Sequence, residues 1–298
     1  MKTILITGAS GFLGFRLYRH FSSPALAGRY RVIPVQGHAP DICDREALMR
    51  YFAVVRPDCV IHCAAVSDTG RCEREPEKSY AVNVRGAENV AAACRAVGAK
   101  FLFCSSDQVY FGACSPHPGD LSPHRETETL NPAGVYGRQK LKAESLCAAA
   151  CPDTVSLRLS WMYDTGEPGP EKHGDLYTTL KKFVDAHEPG AHLSFPVHDY
   201  RSITHAADVA RQMEAAMELP PGVYNFAAPG GKSAFEIARE FLLRMGCPEA
   251  AERLRPDFKR FADAPRNMRM DTEKAAKYGI HFPETLEGFC RALYAAAP

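Results

Sequence analysis

Residues 2–14, K-T-I-L-I-T-G-A-S-G-F-L-G, decide the fold that this sequence predicts. Residues 2–7 form a short apolar run rich in β-branched side chains, which is typical of a buried strand. Glycines follow at once at positions 8, 11 and 14, and residues 15–21 then have the apolar spacing of a helix. A strand, a glycine turn and a helix in this order are the context that a dinucleotide-binding site requires.

The glycine turn suits the phosphates of such a ligand. Glycines permit a tight turn and a close approach of the backbone to a pyrophosphate, and the N-terminus of the next helix offers free N–H groups to the anion. The spacing is G-x-x-G-x-x-G rather than the commoner G-x-G-x-x-G, so the alternative is a tight turn without a ligand. We expect the ligand to contact Gly8, Ser10, Gly11, Phe12, Leu13 and Gly14.

Strand and helix patterns alternate through the first half of the chain. Further strands are predicted at residues 30–35, 59–65, 100–104 and 155–163. This alternation predicts an α/β fold with a doubly wound parallel sheet and right-handed crossovers, whose ligands lie beyond the carboxyl ends of the strands. The glycine turn, Ala64–Ala65 and Ser105–Ser106 all fall at such ends. His62, inside a strand, is interpreted as a core histidine rather than a catalyst.

Tyr136 and Lys140 are the candidate chemical groups. They follow the turn residues 131–134 at the start of a helical pattern, and a spacing of four places them on one helix face. Lowering the pKa of a phenol from about 10 to about 7 needs roughly 4 kcal/mol. An ammonium about 4 Å away supplies roughly that amount at an effective dielectric constant near 20. We therefore expect Tyr136 to be a proton donor acidified by Lys140; the alternative is a solvated surface helix.

Composition and charge exclude several classes of protein. The 298 residues are 46% apolar and carry a net charge of +1 without a basic stripe, so neither nucleic acid nor an anionic membrane is expected as a partner. No apolar run approaches the ~20 residues of a transmembrane helix, and the N-terminus is too short in its apolar part for a signal peptide. The 11 cysteines are scattered and include no C-x-x-C pair. We expect a reduced, cytoplasmic protein without a metal site.

The end of the second strand bears on the choice of dinucleotide. NAD-binding folds place a carboxylate there to bind the ribose 2′-hydroxyl, whereas this chain has Gln36, Gly37 and His38. The missing carboxylate removes an obstacle to a 2′-phosphate, and His38 and Arg16 add weak cationic character. The sequence therefore favours NADP(H) over NAD(H).

Seven motifs, taken together, resemble the extended short-chain dehydrogenase/reductase family. They are T-G-A-S-G-F-L-G at 7, D-I-C-D at 41, P-D-C-V-I-H-C-A-A at 57, A-V-N-V-R-G at 81, S-S-D-Q-V-Y at 105, Y-x-x-x-K at 136 and R-L-S-W-M-Y at 158. They cover nearly the whole chain in the family's order. Within the family, the chain is most similar to the dTDP-4-dehydrorhamnose reductases and to the related regulatory β subunit of methionine adenosyltransferase.

The resemblance implies two domains. A dinucleotide-binding Rossmann domain is expected at residues 1–163, with residues 193–228 partly returning to it. A smaller C-terminal substrate domain is expected from residues 164–192 and 229–298. The composition supports a crossing after Tyr163, because residues 164–174 are rich in glycine, proline and charged side chains.

The resemblance also implies roles for single residues. Tyr136 becomes the proton donor, Lys140 binds the nicotinamide ribose and lowers the pKa of the tyrosine, and Ser106 bonds the substrate carbonyl. The adenine is bordered by Asp41 and Ile42, and the middle of the cofactor is lined by Cys63, Ala64 and Ala65. The residues expected to contact substrate are Ser106, Asp107, Trp161 and Arg201.

The expected function is that of an NAD(P)H-dependent reductase of a 4-keto-6-deoxy sugar nucleotide. A homodimer is considered as the assembly of the protein. Two alternatives stay open: a non-catalytic NAD(P)-binding regulatory subunit and a sugar-nucleotide epimerase. A dehydratase is disfavoured because Asp107 is followed by Gln108, where such enzymes have an Asp-Glu pair. Arg201 departs from the glycine that the rhamnose reductases usually have.

Overall fold

The computed structural model describes residues 1–35, 40–112, 120–166, 169, 174–186 and 190–296. Within these residues the strands are numbered in chain order. They are β1 Lys2–Thr7, β2 Tyr30–Val35, β3 Cys59–His62, β4 Lys100–Ser106, β5 Thr154–Leu159, β6 Trp161–Tyr163, β7 Leu193–Pro196, β8 Asp199–Arg201, β9 Ile203–His205, β10 Gly222–Phe226, β11 Leu254–Asp257 and β12 Arg266–Met268.

The helices of the described residues are numbered in the same way. They are α1 Phe12–Phe21, α2 Arg45–Val55, α3 Thr69–Arg74, α4 Pro76–Tyr80, α5 Ala87–Val97, α6 Val135–Ala150, α7 Leu176–Asp185, α8 Ala206–Ala216, α9 Ala234–Arg244, α10 Pro248–Glu252, α11 Glu273–Ala276 and α12 Thr285–Ala296. A π-helical turn, Ala81–Gly86, joins α4 to α5. Among the helices that the structure describes, none combines the length and the apolar composition that a bilayer span needs.

The central sheet has six parallel strands in the order β10-β5-β4-β3-β1-β2. The predicted α/β fold with a parallel sheet is thereby confirmed. The chain moves outward in one direction from β1 to β2 and in the other from β3 to β10. Crossovers therefore leave a crevice between the carboxyl ends of β1 and β3, which is where such sheets bind ligands.

Alternate residues of the strands face two layers of helices, as the period of two requires. On β1, Ile4 and Ile6 pack in one apolar cluster with residues of α1 and α8. Leu5 packs in the opposite cluster with residues of α2, α5 and α6. Both faces of the sheet are buried, which explains why the strand sequences are apolar runs rather than polar–apolar alternations.

A further apolar cluster lies in the second half of the chain. It is built by side chains of α7, α9 and α12, and the rings of Phe241 and Phe289 stack with centroids 3.6 Å apart. β7 pairs with β11 in a two-stranded sheet, whereas β10 returns to β5 in the central sheet. The division into two domains stays a prediction.

One strand predicted from the sequence is two strands in the structure. The predicted run 155–163 breaks at Ser160, whose hydroxyl lies 2.7 Å from that of Thr204. Before the break, β5 pairs with β4 and β10 in the central sheet. Beyond the break, β6 pairs with β9 instead, with Trp161 opposite Ile203. Pairing with a strand 42 residues further along the chain therefore accompanies the break. The periodicity of the sequence cannot predict such a long-range pairing.

A buried polar chain ties α6 to the sheet. Arg158 on β5 donates to both carboxylate oxygens of Glu144 on α6, at 3.0 and 2.8 Å, and Ser105 donates to the same carboxylate at 2.5 Å. Arg158 also donates to the Tyr110 hydroxyl at 2.9 Å, which donates to Asn225 on β10 at 2.7 Å. Because each group has partners, the charges are buried without an unpaired ion.

We predict that Arg158→Met lowers the free energy of unfolding by about 3–5 kcal/mol, since it leaves the Glu144 carboxylate buried without a counter-charge. Denaturant unfolding measures the change. Glu46→Gln is the control, because it removes a carboxylate that is 89% exposed and paired with Arg50 on the surface. Equal stability of the two variants would contradict a structural role for the buried pair.

Candidate active site

The glycine turn lies in the crevice between β1 and β3. Gly8 has a φ of 66°, in the left-handed region that favours glycine, and a Cβ there would lie 2.7 Å from the Ala64 nitrogen. A Cβ at Gly14 would overlap the Gly8 carbonyl oxygen. The turn and the first turn of α1 are thus packed backbone to backbone, which larger residues would prevent.

The N-terminus of α1 opens onto this crevice. Its N-cap residue is Gly11, which has no side chain to cap the helix and donates its own N–H to the Gly8 carbonyl at 2.9 Å. A cavity of about 200 Å³ is lined here by Gly8, Gly11, Phe12, Leu13 and Gly14. Free N–H groups and a helix dipole at a glycine-lined cavity fit a pyrophosphate.

The same cavity reaches the residues that follow β3 and β4 and the start of α6. The predicted site residues on its wall, besides the glycine turn, are Cys63, Ala65, Ser106, Tyr136 and Lys140. The structure therefore brings Tyr136 and Lys140 to the side of the sheet where the glycine turn lies. We call this space the dinucleotide cavity.

A second cavity of about 480 Å³ adjoins the first and is called the outer cavity. Both are lined by Phe12, Ser67, Ser106, Tyr136, Ser160 and Met162. The outer cavity extends to Asp107, Trp161 and Arg201, which are the other predicted substrate residues. Ser106 and Tyr136 therefore stand at the junction of the two spaces.

Lys140 is buried against the end of β4. Its Nζ donates to the Cys104 carbonyl at 2.7 Å and lies 5.6 Å from the centre of the Tyr136 ring. Burial lowers the pKa of Lys140, because an ammonium loses hydration inside the protein. The cation thus sits beside the phenol ring but is hydrogen-bonded to the backbone.

The expected acidification of Tyr136 by Lys140 is wrong, because the pKa of the phenol is raised rather than lowered. Burial raises the pKa of Tyr136 well above 10, and the nearby Asp107 raises this pKa further. The hydrogen bond with Ser106 lowers the pKa but does not compensate. Burial is the largest of these effects, so the phenol keeps its proton at neutral pH and can act as an acid.

Asp107 is the buried carboxylate of the outer cavity. One of its oxygens accepts from the Ser106 hydroxyl at 3.1 Å. Within the part of the chain that the structure describes, its other oxygen, Oδ2, has no hydrogen-bond partner. Burial raises the pKa of Asp107, while Arg201 lowers it. An unpartnered oxygen beside a cavity can accept a hydrogen bond from a bound hydroxyl group.

Arg201 is held at the far wall of the outer cavity. Its Nε donates to Asp199 at 2.8 Å, and its guanidinium lies 5.2 Å from the centre of the Trp161 ring. Arg266 donates to the same Asp199 carboxylate at 2.7 and 2.5 Å. Two guanidinium groups share one carboxylate, so the cluster has a net positive charge.

Four described residues predicted to bind the cofactor line neither cavity: Ser10, Asp41, Ile42 and Ala64. Ala64 instead supports Gly8 from behind. Ile42 packs against Gly86, and the exposed Asp41 accepts from the Cys43 N–H at 2.9 Å. His38 lies outside the described residues.

Two other sequence interpretations concern single side chains. Arg16, considered for a 2′-phosphate, pairs with Asp164 and donates to the Phe12 carbonyl at 2.6 Å. His62 is a core histidine, as interpreted: its Nδ1 lies 2.7 Å from the Thr7 hydroxyl, and burial lowers its pKa to about 3.

In the described residues, no group of three or more His, Cys, Asp or Glu side chains is arranged to hold a metal.

Sequence reasoning missed several residues of the cavity walls. Three of them, Ser67, Asp68 and Thr69, come soon after the carboxyl end of β3. This position in the sequence could have indicated that they line a ligand site. Ser160 and Met162 belong to the break between β5 and β6, which the sequence pattern hides. Asp175 also lines the outer cavity. Its carboxylate caps α7 by accepting from the Thr178 N–H at 2.9 Å, and an aspartate before a helix does not by itself indicate a site residue.

Comparison with known proteins places the chain in a family. Residues 1–295 match the model described as RmlD substrate binding domain. A dTDP-4-dehydrorhamnose reductase of Mycolicibacterium smegmatis is 30% identical over 285 residues, which cover 94% of this chain and 81% of that protein. Methionine adenosyltransferase 2 subunit beta of Xenopus laevis is 28% identical over 293 residues, which cover 94% and 83%.

A solved structure has the same fold. The dTDP-4-dehydrorhamnose reductase of Bacillus anthracis, in complex with NADP, superimposes with a TM-score of 0.84 at 24% identity and full coverage of both chains, 100% each. The similarity to dTDP-4-dehydrorhamnose reductases and to the methionine adenosyltransferase β subunit, expected from the motifs, is confirmed. This chain belongs to the RmlD substrate binding domain family.

Proposed function

We propose that the protein is an NADP(H)-dependent reductase of a 4-keto-6-deoxy sugar nucleotide, with Ser106, Tyr136 and Lys140 as its catalytic set. The observation that carries the proposal is the position of Ser106 and Tyr136 on the walls of both cavities. A group held in one cavity meets a group held in the other at these two side chains. The 30% identity to a dTDP-4-dehydrorhamnose reductase, over 94% of the chain, supports the substrate class.

The dinucleotide cavity would hold the cofactor. The glycine turn and the uncapped start of α1 would bind its phosphates, and Lys140 would bind the nicotinamide ribose. When bound, the nicotinamide supplies the hydride. NADP is favoured because residues 36–38 include no carboxylate, and because the B. anthracis neighbour is in complex with NADP.

The outer cavity would hold the sugar nucleotide. The cluster of Arg201, Arg266 and Asp199 keeps a net positive charge, and Arg201 on the cavity wall suits a diphosphate. Trp161 offers a ring face, and the unpartnered oxygen of Asp107 can accept from a sugar hydroxyl. Each feature matches one part of a sugar nucleotide.

Tyr136 would protonate the carbonyl oxygen as hydride arrives at the carbon. Its raised pKa keeps the proton in place at neutral pH, and the Ser106 hydroxyl beside it can hold the same oxygen. As negative charge develops on the phenol oxygen, the nearby ammonium of Lys140 and the Ser106 hydroxyl stabilise it. Lys140 thus acts on the product of the proton transfer.

A regulatory, non-catalytic subunit is the second candidate function. The similarity to methionine adenosyltransferase 2 subunit beta over 94% of the chain favours it. Such a subunit would bind the dinucleotide without consuming it. Turnover of a sugar nucleotide by the purified protein alone separates the two candidates.

We predict that Gly14→Ala abolishes the rise in melting temperature caused by NADPH, because the new methyl group displaces the Gly8 carbonyl from the phosphate turn. A ligand that binds the folded state raises the melting temperature, so a thermal scan with and without NADPH measures binding. Gly231→Ala is the control, since the nearest atom to its Cβ is Arg269 Nη1 at 4.0 Å. A wild-type response to NADPH in Gly14→Ala would refute the assignment of the turn.

We predict that Tyr136→Phe lowers the rate of NADPH oxidation with dTDP-4-dehydrorhamnose by about 10²–10⁴-fold, the usual effect of losing a general acid. The melting-temperature rise with NADPH should persist, because the phenol oxygen is not needed to hold the phosphates. Tyr18→Phe, at a side chain that is 37% exposed, is the control for removal of a hydroxyl. Wild-type turnover by Tyr136→Phe would remove the mechanism.

A further inference from the structure

We propose that Cys63 and Cys104 form an oxidisable thiol pair in the wall of the dinucleotide cavity, which hydrogen peroxide converts to a disulfide. Closing this bond weakens cofactor binding, and bound cofactor shields the pair. The formation of the disulfide is independent of the proposed function; only its effect on the cofactor rests on that function.

The sheet places the two cysteines opposite each other. β3 and β4 are parallel neighbours with His62 opposite Phe103; Cys63 directly follows β3, and Cys104 is the next residue of β4. Neighbouring strands are about 4.8 Å apart, within the range of roughly 4.4–6.8 Å that disulfides span between Cα atoms. The sulfurs are already 3.5 Å apart, so bond formation brings them about 1.5 Å closer.

The position of the pair distinguishes it from the other described cysteines. Both cysteines line the dinucleotide cavity, where a small oxidant can enter. Cys104 shares an apolar cluster with Cys59, and Cys63 packs against that cluster, but neither Cys59 nor the other clustered cysteines, Cys94, Cys147 and Cys151, lines the cavity. Cys43 is exposed and hydrogen-bonded to the Ala81 carbonyl rather than to another thiol.

Cys63 is held as a neutral thiol. The hydrogen bond with Cys104, and then burial, raise the pKa of Cys63 well above its usual value. Because the thiolate is the reactive form, we expect slow reaction with peroxide compared with an activated cysteine. Once one thiol has reacted, however, its neighbour is already in contact with it.

The proposed oxidation consumes one peroxide. One thiol attacks the peroxide, so that an S–O bond forms, the O–O bond breaks and water leaves. The second thiol then attacks the sulfenic sulfur, the S–S bond forms and a second water leaves. Two thiols are oxidised, and hydrogen peroxide is reduced to two water molecules.

The bond would change the cofactor site through Lys140. The Nζ of Lys140 donates to the carbonyl oxygen of Cys104 itself. Drawing Cys104 toward β3 moves this carbonyl and alters the wall that faces Lys140 and Tyr136. We expect NADPH binding to weaken at least about tenfold, a cost of about 1.4 kcal/mol.

The test treats the full chain with hydrogen peroxide, with and without saturating NADPH, blocks free thiols and searches for the Cys63–Cys104 cross-linked peptide by mass spectrometry. We expect the cross-link in the free protein, its suppression by NADPH, and recovery of NADPH binding after dithiothreitol. Cys43→Ser should behave as wild type, and Cys63→Ser should form no such cross-link.

Peroxide that oxidises Cys43 without producing the Cys63–Cys104 peptide would overturn the proposal. A cross-link that leaves the melting-temperature rise with NADPH unchanged would overturn the effect on the cofactor. Both readouts work without turnover. A protein that forms the cross-link but reduces no sugar nucleotide would refute the proposed function and leave the thiol pair intact.

Discussion

The buried ion pair between Glu144 and Arg158 is the constraint on which the site depends. It fixes α6 to β5 one turn beyond Lys140, and its carboxylate also holds Ser105, the neighbour of Ser106. Lys140 adds its own bond to the end of β4. The groups that would carry the chemistry are therefore oriented by buried contacts rather than by flexible loops.

The protonation of Tyr136 shows how burial and charge compete at such a site. A lysine four residues away stabilises a phenolate, but only where the loss of hydration does not outweigh it. Here burial dominates, and Asp107 adds to it, so the phenol of Tyr136 keeps its proton. This state suits the reductive direction, in which the first demand on Tyr136 is a proton.

Much of the fold and part of the site could be predicted from the sequence. The glycine turn and the Tyr136–Lys140 pair depend on local spacing, and the structure places both on the dinucleotide cavity. The pKa of Tyr136 could not be predicted, because burial is a property of the packed site. Asp199 and Arg266 form a hydrogen bond although they are 67 residues apart in the sequence, and no local sequence pattern predicts such a contact.

In the proposed reaction, hydride passes from the dinucleotide cavity to a sugar nucleotide in the outer cavity. Its most direct test is turnover of dTDP-4-dehydrorhamnose with NADPH deuterated at the transferring position of the nicotinamide C4, followed by mass spectrometry and NMR of the product. We predict one deuterium, located at C4 of the sugar. NADPH that binds but is never consumed, with no deuterium in the sugar, would contradict it.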